Sequence, residues 1–130
     1  MLIDNTLMDE LMQKAQESPR LRMNLDLRTT PEDQSQRMLN AMLPGTVLPI
    51  HRHMASTEVV VMLRGRMDEV FFDDEGHETE RFHLDPTTGN CGLSIPLGQW
   101  HTVEVFEPTV ILEAKNGPYT PLSPEDVLEV

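Results

Sequence analysis

The chain has few of the residues that several common functions require. Among its 130 residues there are one cysteine, one tryptophan, one tyrosine and four phenylalanines. A single cysteine excludes an intrachain disulfide framework, and so few aromatic side chains disfavour a surface on which nucleic-acid bases would stack. The cysteine itself, Cys91, has no base beside it in sequence and is interpreted as a structural or incidental thiol.

Positive charge is also scarce. The chain has 10 lysine and arginine residues against 22 aspartate and glutamate residues, which gives a formal net charge of -12. No basic cluster interrupts this acidic composition, so we expect neither a nucleic-acid partner nor a membrane partner. There is no apolar run of about 18 residues and no secretory leader, and a cytoplasmic protein is therefore expected.

Short extended segments separated by turn residues make up most of the chain. Residues 20–28 alternate apolar and polar side chains, as a half-buried strand does. Further strands are predicted at residues 36–43, 46–51, 58–64, 67–73, 79–84, 92–95, 101–106 and 109–115. Many short strands at close spacing are typical of an all-β sandwich or barrel.

A short helix precedes the strands. Thr6 is predicted to cap it, apolar side chains follow at helical spacing as far as Ala15, and Ser18 and Pro19 end it. A helical turn is also predicted to start at residues 30–33. The apolar faces of the N-terminal segment need cover, so we expect a homodimer formed through that segment.

The length fits one domain, residues 1–130. We divide it into an N-terminal helix and strand extension (1–35), a β-barrel core (36–115) and a C-terminal tail (116–130). The tail is rich in proline, and Pro124 is predicted to begin a last short helix.

Two histidines and a glutamate stand at spacings that suit one metal ion. His51 and His53 lie two residues apart, so on an extended strand both rings leave the same face. Glu58 opens the next apolar segment, and an antiparallel return would bring its carboxylate beside the two rings. A lone His-x-His pair on a strand is nevertheless more often a pair of exposed or hydrogen-bonded imidazoles than a metal site.

A third histidine strengthens the metal interpretation. His101 follows a turn at residues 96–98 and lies on a largely apolar face, where an unpaired imidazole is costly to bury. Three imidazoles and one carboxylate suit one divalent transition metal, namely Fe, Mn, Ni, Co or Zn. Because imidazoles bind metal only when deprotonated, binding is expected to weaken below about pH 6. The other two histidines, His77 and His83, are expected to face solvent.

The segment from Gly45 to Gly65 resembles the first motif of the cupins. That motif has Gly, five residues, His-x-His, three or four residues, Glu, six residues and Gly, and every fixed position matches here. The resemblance implies an all-β cupin double-stranded β-helix, a jelly-roll barrel, here with a short N-terminal helix. It also implies that His51, His53, Glu58 and His101 bind the metal, with a degenerate cupin that has kept only the fold as the alternative.

The second cupin motif is matched in part. Pro96, Gly98 and His101 stand at the expected places, whereas Asn90 and Val105 replace the leading Gly and the final Asn. These departures affect turn and strand residues and leave the ligands in place.

Several further phrases look like the WbuC-type cupin fold metalloproteins of bacteria. They include residues 22–24, 36–41, 63–66, 72–74 and 117–119, and the resemblance runs through about residues 2–120. It implies a small metal-binding jelly roll that is often encoded near surface-polysaccharide genes and has no settled reaction.

The side chains around the metal would decide what the protein does. The candidates for substrate binding are Asn40, Arg37, Arg66, Trp100 and Lys115. Glu113 and Tyr119 are candidates for moving a proton during catalysis. A surface, capping or core role is the alternative for each of these side chains. Strand parity prevents Arg37 and Asn40 from both pointing inward, and Asn40 is the better candidate.

Two classes of function remain open. One is a metalloenzyme acting on a sugar, a sugar nucleotide or a keto acid, by isomerase or epimerase, lyase or oxygenase chemistry, in surface-polysaccharide (O-antigen) biosynthesis as the resemblance implies. The other is a non-catalytic cupin that binds a metal or a small-molecule ligand. A sugar nucleotide would require cationic side chains in the cavity, and Arg22, Arg37, Arg66 and Lys115 are available.

Overall fold

Two five-stranded antiparallel sheets form the body of the protein, which confirms the predicted all-β fold class. The computed structural model describes residues 1–129. One helix, α1 (Asn5–Glu17), precedes the strands. The strands are β1 (Arg22–Asp26), β2 (Ser35–Met42), β3 (Ile50–His51), β4 (Glu58–Arg64), β5 (Met67–Phe72), β6 (Glu78–Leu84), β7 (Gly92–Ile95), β8 (Trp100–Val105), β9 (Thr109–Asn116) and β10 (Val127–Leu128). Single turns of 3-10 helix occur at Pro86–Thr88 and Pro124–Asp126.

The chain alternates between the two sheets. The first sheet has the order β1-β2-β9-β4-β7 and the second the order β10-β3-β8-β5-β6. From β2 onward every connection crosses to the other sheet, except the hairpin that joins β5 to β6. This topology is the double-stranded β-helix of a jelly roll. Among the described residues no helix is long and apolar enough to cross a membrane.

The main core lies between the sheets. Along β4 the side chains alternate between buried and exposed, so Val60 and Met62 enter the core while Val59 and Val61 face outward. The buried cluster comprises Met42, Val60, Met62, Met67, Phe71, Leu84, Ile95, Val105 and Ile111. At one end of this layer polar side chains replace the apolar ones and form the candidate site.

Helix α1 covers the outer face of the first sheet. Leu11, Met12 and Ala15 are buried against side chains of β2 and β9. The helix therefore buries its apolar face inside its own chain, which removes the reason for expecting a dimer through this face. Its cap is Asp4, whose Oδ1 accepts a hydrogen bond from Leu7 N at 2.9 Å, so the prediction of Thr6 as the cap is wrong.

Other local predictions also need correction. The strand predicted over residues 20–28 is shorter, because Leu21 adopts a left-handed backbone with φ of 58°. Residues 30–33, where a short helical turn is predicted, form one turn closed by the hydrogen bond from Asp33 N to Thr30 O, and β2 follows. The short helix predicted at Pro124 is confirmed as a single turn, and β10 follows it. Val130, the last residue of the predicted tail, lies outside the described residues.

Two motif glycines serve turns that hold the site. Gly65 has φ of 95°, and a side chain there would overlap the backbone of Pro108 and Thr109. Gly98 has φ of 76° and lies in the turn before β8. Its N–H donates to the His53 carbonyl at 2.9 Å, so this turn joins the two segments that carry the histidines.

Candidate metal centre

Three imidazoles meet at one end of the space between the sheets. His51 on β3 and His101 on β8 are register partners, and His53 follows β3 directly. One nitrogen of each ring lies within 4.8 Å of the corresponding nitrogens of the other two. The ring centroids of His51 and His101 are 4.3 Å apart, and that of His53 lies 5.1 Å and 5.8 Å from them, respectively. The structure therefore brings together the three histidines that the sequence singled out.

Backbone carbonyls orient two of the rings. Nδ1 of His51 lies 2.9 Å from the Pro49 carbonyl, and Nδ1 of His101 lies 2.9 Å from the Gln99 carbonyl. A carbonyl only accepts hydrogen bonds, so each Nδ1 carries a proton, and Nε2 of His51 keeps a free lone pair. Nε2 of His53 is buried and has no hydrogen-bond partner among the described residues. These free nitrogens fit a metal ion, which would satisfy them together.

The charge state of the rings also suits a metal. Burial, followed by the charge of His101, lowers the pKa of His51 to about 4. Burial, followed by the charge of Lys115, lowers the pKa of His53 to about 4. Both rings are therefore neutral at neutral pH, and only neutral imidazole is a metal ligand.

Glu58 lies beside the histidine cluster. Its Oε2 is 3.5 Å from Nε2 of His101, while its Oε1 is 3.5 Å from Nζ of Lys115. Burial alone raises the pKa of the Glu58 carboxyl, but the hydrogen bond with His101 and the charge of Lys115 outweigh it and bring the pKa to about 2. The carboxylate is therefore ionised and lies next to Nε2 of His101.

The route by which Glu58 reaches the histidines differs from the prediction. β4 belongs to the first sheet and β3 to the second, so the two strands are not antiparallel partners. Glu58 faces His101 across the space between the sheets. A site built from both sheets holds its ligands on a rigid frame, and the donor set of three imidazoles and one carboxylate suits the predicted divalent transition metals.

A cavity of about 490 Å³ opens at the cluster. Besides the four predicted metal ligands, four of the predicted substrate-binding and catalytic residues line it: Asn40, Glu113, Lys115 and Tyr119. Asn40 on β2 is buried, whereas the Tyr119 side chain in the tail is exposed and lies 5.5 Å below the Arg28 guanidinium. The cavity thus has a buried polar wall and a wall formed by the tail.

Three other predicted residues lie outside this cavity, and their expected placement is corrected. Arg37 points to the other face of β2, where its Nη2 lies 3.1 Å from Asp33. Arg66 lies after β4, 3.6 Å from Glu107. Trp100 is a buried residue whose Nε1 donates to Asp74 Oδ1 at 2.9 Å.

Burial raises the pKa of two carboxyl groups that line the cavity. Burial, followed by the charge of Glu58, raises the pKa of Glu113 to about 7. Burial, followed by the charges of Glu58 and Glu113, raises the pKa of Glu69 well above its usual range. The cavity therefore carries less negative charge than its three glutamates would suggest.

Glu69 was missed in the sequence. It lies on β5, is 1% exposed, and its Oε2 has no hydrogen-bond partner among the described residues. Strand alternation contains the signal, because Glu69 falls between Met67 and Phe71 on the face that enters the core. A carboxyl group in such a position requires either a partner or a role.

The two remaining histidines face solvent, as predicted. The side chains of His77 and His83 are 72% and 75% exposed. His77 forms an exposed group with Asp73 and Glu75 in the β5–β6 hairpin. Asp73 Oδ1 already accepts hydrogen bonds from the backbone of this turn, which accounts for the grouping.

The jelly-roll topology defines a cupin-type fold, and the histidine cluster lies within it. The chain belongs to the family described as Domain of unknown function (DUF6016), whose model matches residues 3–84. No curated protein matches the sequence.

Solved structures share the fold at low sequence identity. The capsular polysaccharide assembling protein CapF from Staphylococcus aureus superposes with a TM-score of 0.63 at 21% identity, over 75% of this chain and 27% of CapF. KdgF from Halomonas sp. gives 0.59 at 16% identity, over 78% of this chain and 84% of KdgF. An oxalate oxidase in complex with the substrate analogue glycolate gives 0.61 at 14% identity, over 77% of this chain and 53% of that one. The chain thus spans less than a third of the CapF chain.

Proposed function

We propose that this protein is a metal-dependent cupin enzyme that acts on a small, oxygen-rich polar molecule. The observation that carries the proposal is the convergence of three imidazoles beside an ionised carboxylate, at the wall of a 490 Å³ cavity. The buried Nε2 of His53, which has no partner among the described residues, is difficult to explain without a ligand.

His51, His53, His101 and Glu58 would hold the metal. When bound, the ion supplies Lewis acidity to oxygen atoms of a substrate. Lys115 keeps one oxygen of Glu58 engaged, which leaves the other directed at His101 and the cluster. Because His51 and His53 are neutral at neutral pH, these two rings need not lose protons to become ligands.

Glu113 is the side chain best suited to move a proton. Its pKa of about 7 places both protonation states within reach near neutral pH, which is where a general acid or base is most effective. Tyr119 lies at the exposed side of the cavity and can contact a bound substrate.

We also propose a biological role for the protein. The WbuC-like phrases and the shared fold with CapF, a capsular polysaccharide assembling protein, support a role in bacterial surface-polysaccharide biosynthesis. The shared fold with an oxalate oxidase that binds glycolate supports small hydroxy or keto acids as alternative ligands. A cytoplasmic location is proposed together with this role.

We also propose a homodimer that forms through the outer face of β4, where Val59, Val61 and Leu63 are exposed.

Metal content provides the first test. Protein expressed with Fe, Mn, Ni, Co or Zn supplied should carry about one ion per chain by elemental analysis. The His51→Ala/His101→Ala variant should lose it, whereas the matched control His77→Ala, at an exposed site, should keep it. Equal metal content in all three proteins would disprove the site.

The second test separates an enzyme from a binder. Glycolate should alter the visible spectrum of the Co(II)-loaded protein if the metal has exchangeable positions. Glu113→Gln should keep the metal and the glycolate response but lose turnover of any substrate found among sugars, sugar nucleotides and keto acids. A Co(II) spectrum that no oxygen ligand alters would instead indicate a structural metal.

A further inference from the structure

One cation in the cavity wall has no anionic partner. Three cationic side chains line the cavity, and two of them pair with carboxylates: Nε of Arg52 lies 3.1 Å from Asp126, and Lys115 pairs with Glu58. The third, Arg22, forms no salt bridge within the described part of the chain. In a chain with a formal net charge of -12, a cationic side chain in the cavity without a carboxylate partner points to a role for that side chain.

The partners of Arg22 hold its side chain in place and leave it charged. Its Nη1 donates to the Val47 carbonyl at 3.0 Å and to Thr46 Oγ1 at 3.3 Å, and both acceptors are neutral. Burial and the charge of Arg20 both lower the pKa of Arg22, so its surroundings oppose the positive charge. Nε and Nη2 have no protein acceptor within the described residues and remain as donors for an oxyanion, which guanidinium binds as a fork.

The position of Arg22 allows one small molecule to reach both it and the metal centre. Val47, which accepts from Arg22, lies four residues before His51. Four residues of extended chain span at most about 14 Å, which sets the upper limit of the distance between Val47 and His51. Both belong to the same 490 Å³ cavity.

The buried wall indicates what the rest of the ligand carries. Asn40 Oδ1 and Glu69 Oε2 have no partners among residues 1–129, and their side chains belong to residues only 5% and 1% exposed. The Asn40 oxygen accepts a hydrogen bond, and a protonated Glu69 carboxyl can donate or accept one, so hydroxyl groups of a ligand would pair with both. The raised pKa values of Glu69 and Glu113 keep this wall from repelling an anion.

We propose that Arg22 binds an acidic group of the ligand, a carboxylate or a phosphate, and that the ligand is a polyhydroxylated anion such as a uronic acid or a sugar phosphate. The metal centre would bind its chelating oxygens, and Asn40 with Glu69 would bind its hydroxyl groups. This inference rests on the proposed function and narrows the class of substrate.

The test compares matched sugars on the metal-loaded protein. Glucose, glucuronate and glucose 6-phosphate differ only in the group at one end, and a galactose series gives the same comparison. Glucuronate and glucose 6-phosphate should raise the melting temperature of the protein more than glucose does. Comparing the two acidic sugars with each other shows whether the site prefers a carboxylate or a phosphate. Isothermal titration then gives Kd.

The variants assign the effect to Arg22. Arg22→Gln should weaken binding of the acidic sugar by about 10- to 100-fold, as expected for a lost charged hydrogen bond. Arg22→Lys should recover part of the affinity, while Arg20→Gln, an exposed arginine two residues away, should match the unaltered protein. Retained metal content and an unchanged glycolate response would show that the Arg22→Gln protein is folded.

The outcomes separate this inference from the proposed function. If the protein binds metal and glycolate but acidic sugars bind no better than neutral ones, or Arg22→Gln binds them equally well, the role of Arg22 is overturned and the metal centre stands. If the protein binds no metal, the proposed function itself fails.

Discussion

Replacing Glu113 by glutamine should change how the stability of the metal-free protein depends on pH. Glutamine has nearly the same shape but cannot ionise. In the folded protein the pKa of Glu113 is about 7, whereas the ordinary glutamate value is 4.5. The folded state therefore binds this proton more tightly than the unfolded state, and the stabilisation is complete below pH 4.5 and is lost as pH rises toward 7.

The magnitude follows from the difference between the two pKa values. Each unit corresponds to about 1.4 kcal/mol, so the wild type loses about 3 kcal/mol over the whole range and most of this between pH 5 and pH 8. Glu113→Gln does not lose this stability as pH rises, because glutamine does not ionise. The variant should therefore gain about 2 to 3 kcal/mol relative to wild type between these two pH values. The contributions of His51 and His53 are common to both proteins and cancel in the difference.

Urea unfolding of chelator-treated protein at several pH values measures this difference. Glu80→Gln, at an exposed position on β6, is the matched control and should follow the wild type. Measured free energies of unfolding scatter by about 0.5 kcal/mol. If the free energies of unfolding of Glu113→Gln and wild type differ by an amount that stays constant within this scatter from pH 5 to pH 8, the raised pKa of Glu113 is refuted.

Three further predictions follow from other parts of the structure. His53→Ala should weaken Co(II) binding by at least about 100-fold in competition with a chelator, because it removes a ligand that has no other partner among the described residues. Leu11→Ala should lower the free energy of unfolding in urea by about 2 to 3 kcal/mol, because Leu11 is buried between α1 and the first sheet. Val61→Asp should turn the proposed dimer into a monomer by light scattering, whereas a dimer that survives it would place the interface elsewhere.

The features that could be predicted from the sequence are those that local pattern determines. Short extended runs bounded by turn residues placed β4 and β9 within about a residue of their observed bounds. The His-x-His spacing placed two rings on one side of the chain because side chains two residues apart on an extended segment share a face.

The features that could not be predicted depend on which segments meet. The alternation of residues 20–28 contains no sign that Leu21 would turn into a left-handed conformation. The motif spacing could not reveal that Glu58 approaches the histidines from the opposite sheet. Arg66 follows the motif glycine directly, yet it lies beside Glu107, because the turn at Gly65 directs it away from the cavity. Pairing of strands across a jelly roll is non-local, and local pattern does not encode it.

The burial of the histidines changes what the sequence suggested about pH. An ordinary imidazole has a pKa of 6.5, which predicts loss of metal below about pH 6. The structure lowers the pKa of His51 and His53 to about 4, chiefly by burial, so both rings stay neutral until the solution is far more acidic. Their neutral form adds to stability above pH 6.5, and this contribution is lost as pH falls toward 4.

NMR titration of the metal-free protein tests this consequence directly. The ring protons of His51 and His53 should shift with midpoints near pH 4. The metal-loaded protein should accordingly retain its metal at pH 5.5 in a buffer that does not bind metal, because His51 and His53 are not yet protonated at that pH. Midpoints near 6.5 for the two rings, together with release of the ion by pH 5.5, would show that water reaches them freely and that the cavity does not desolvate its ligands.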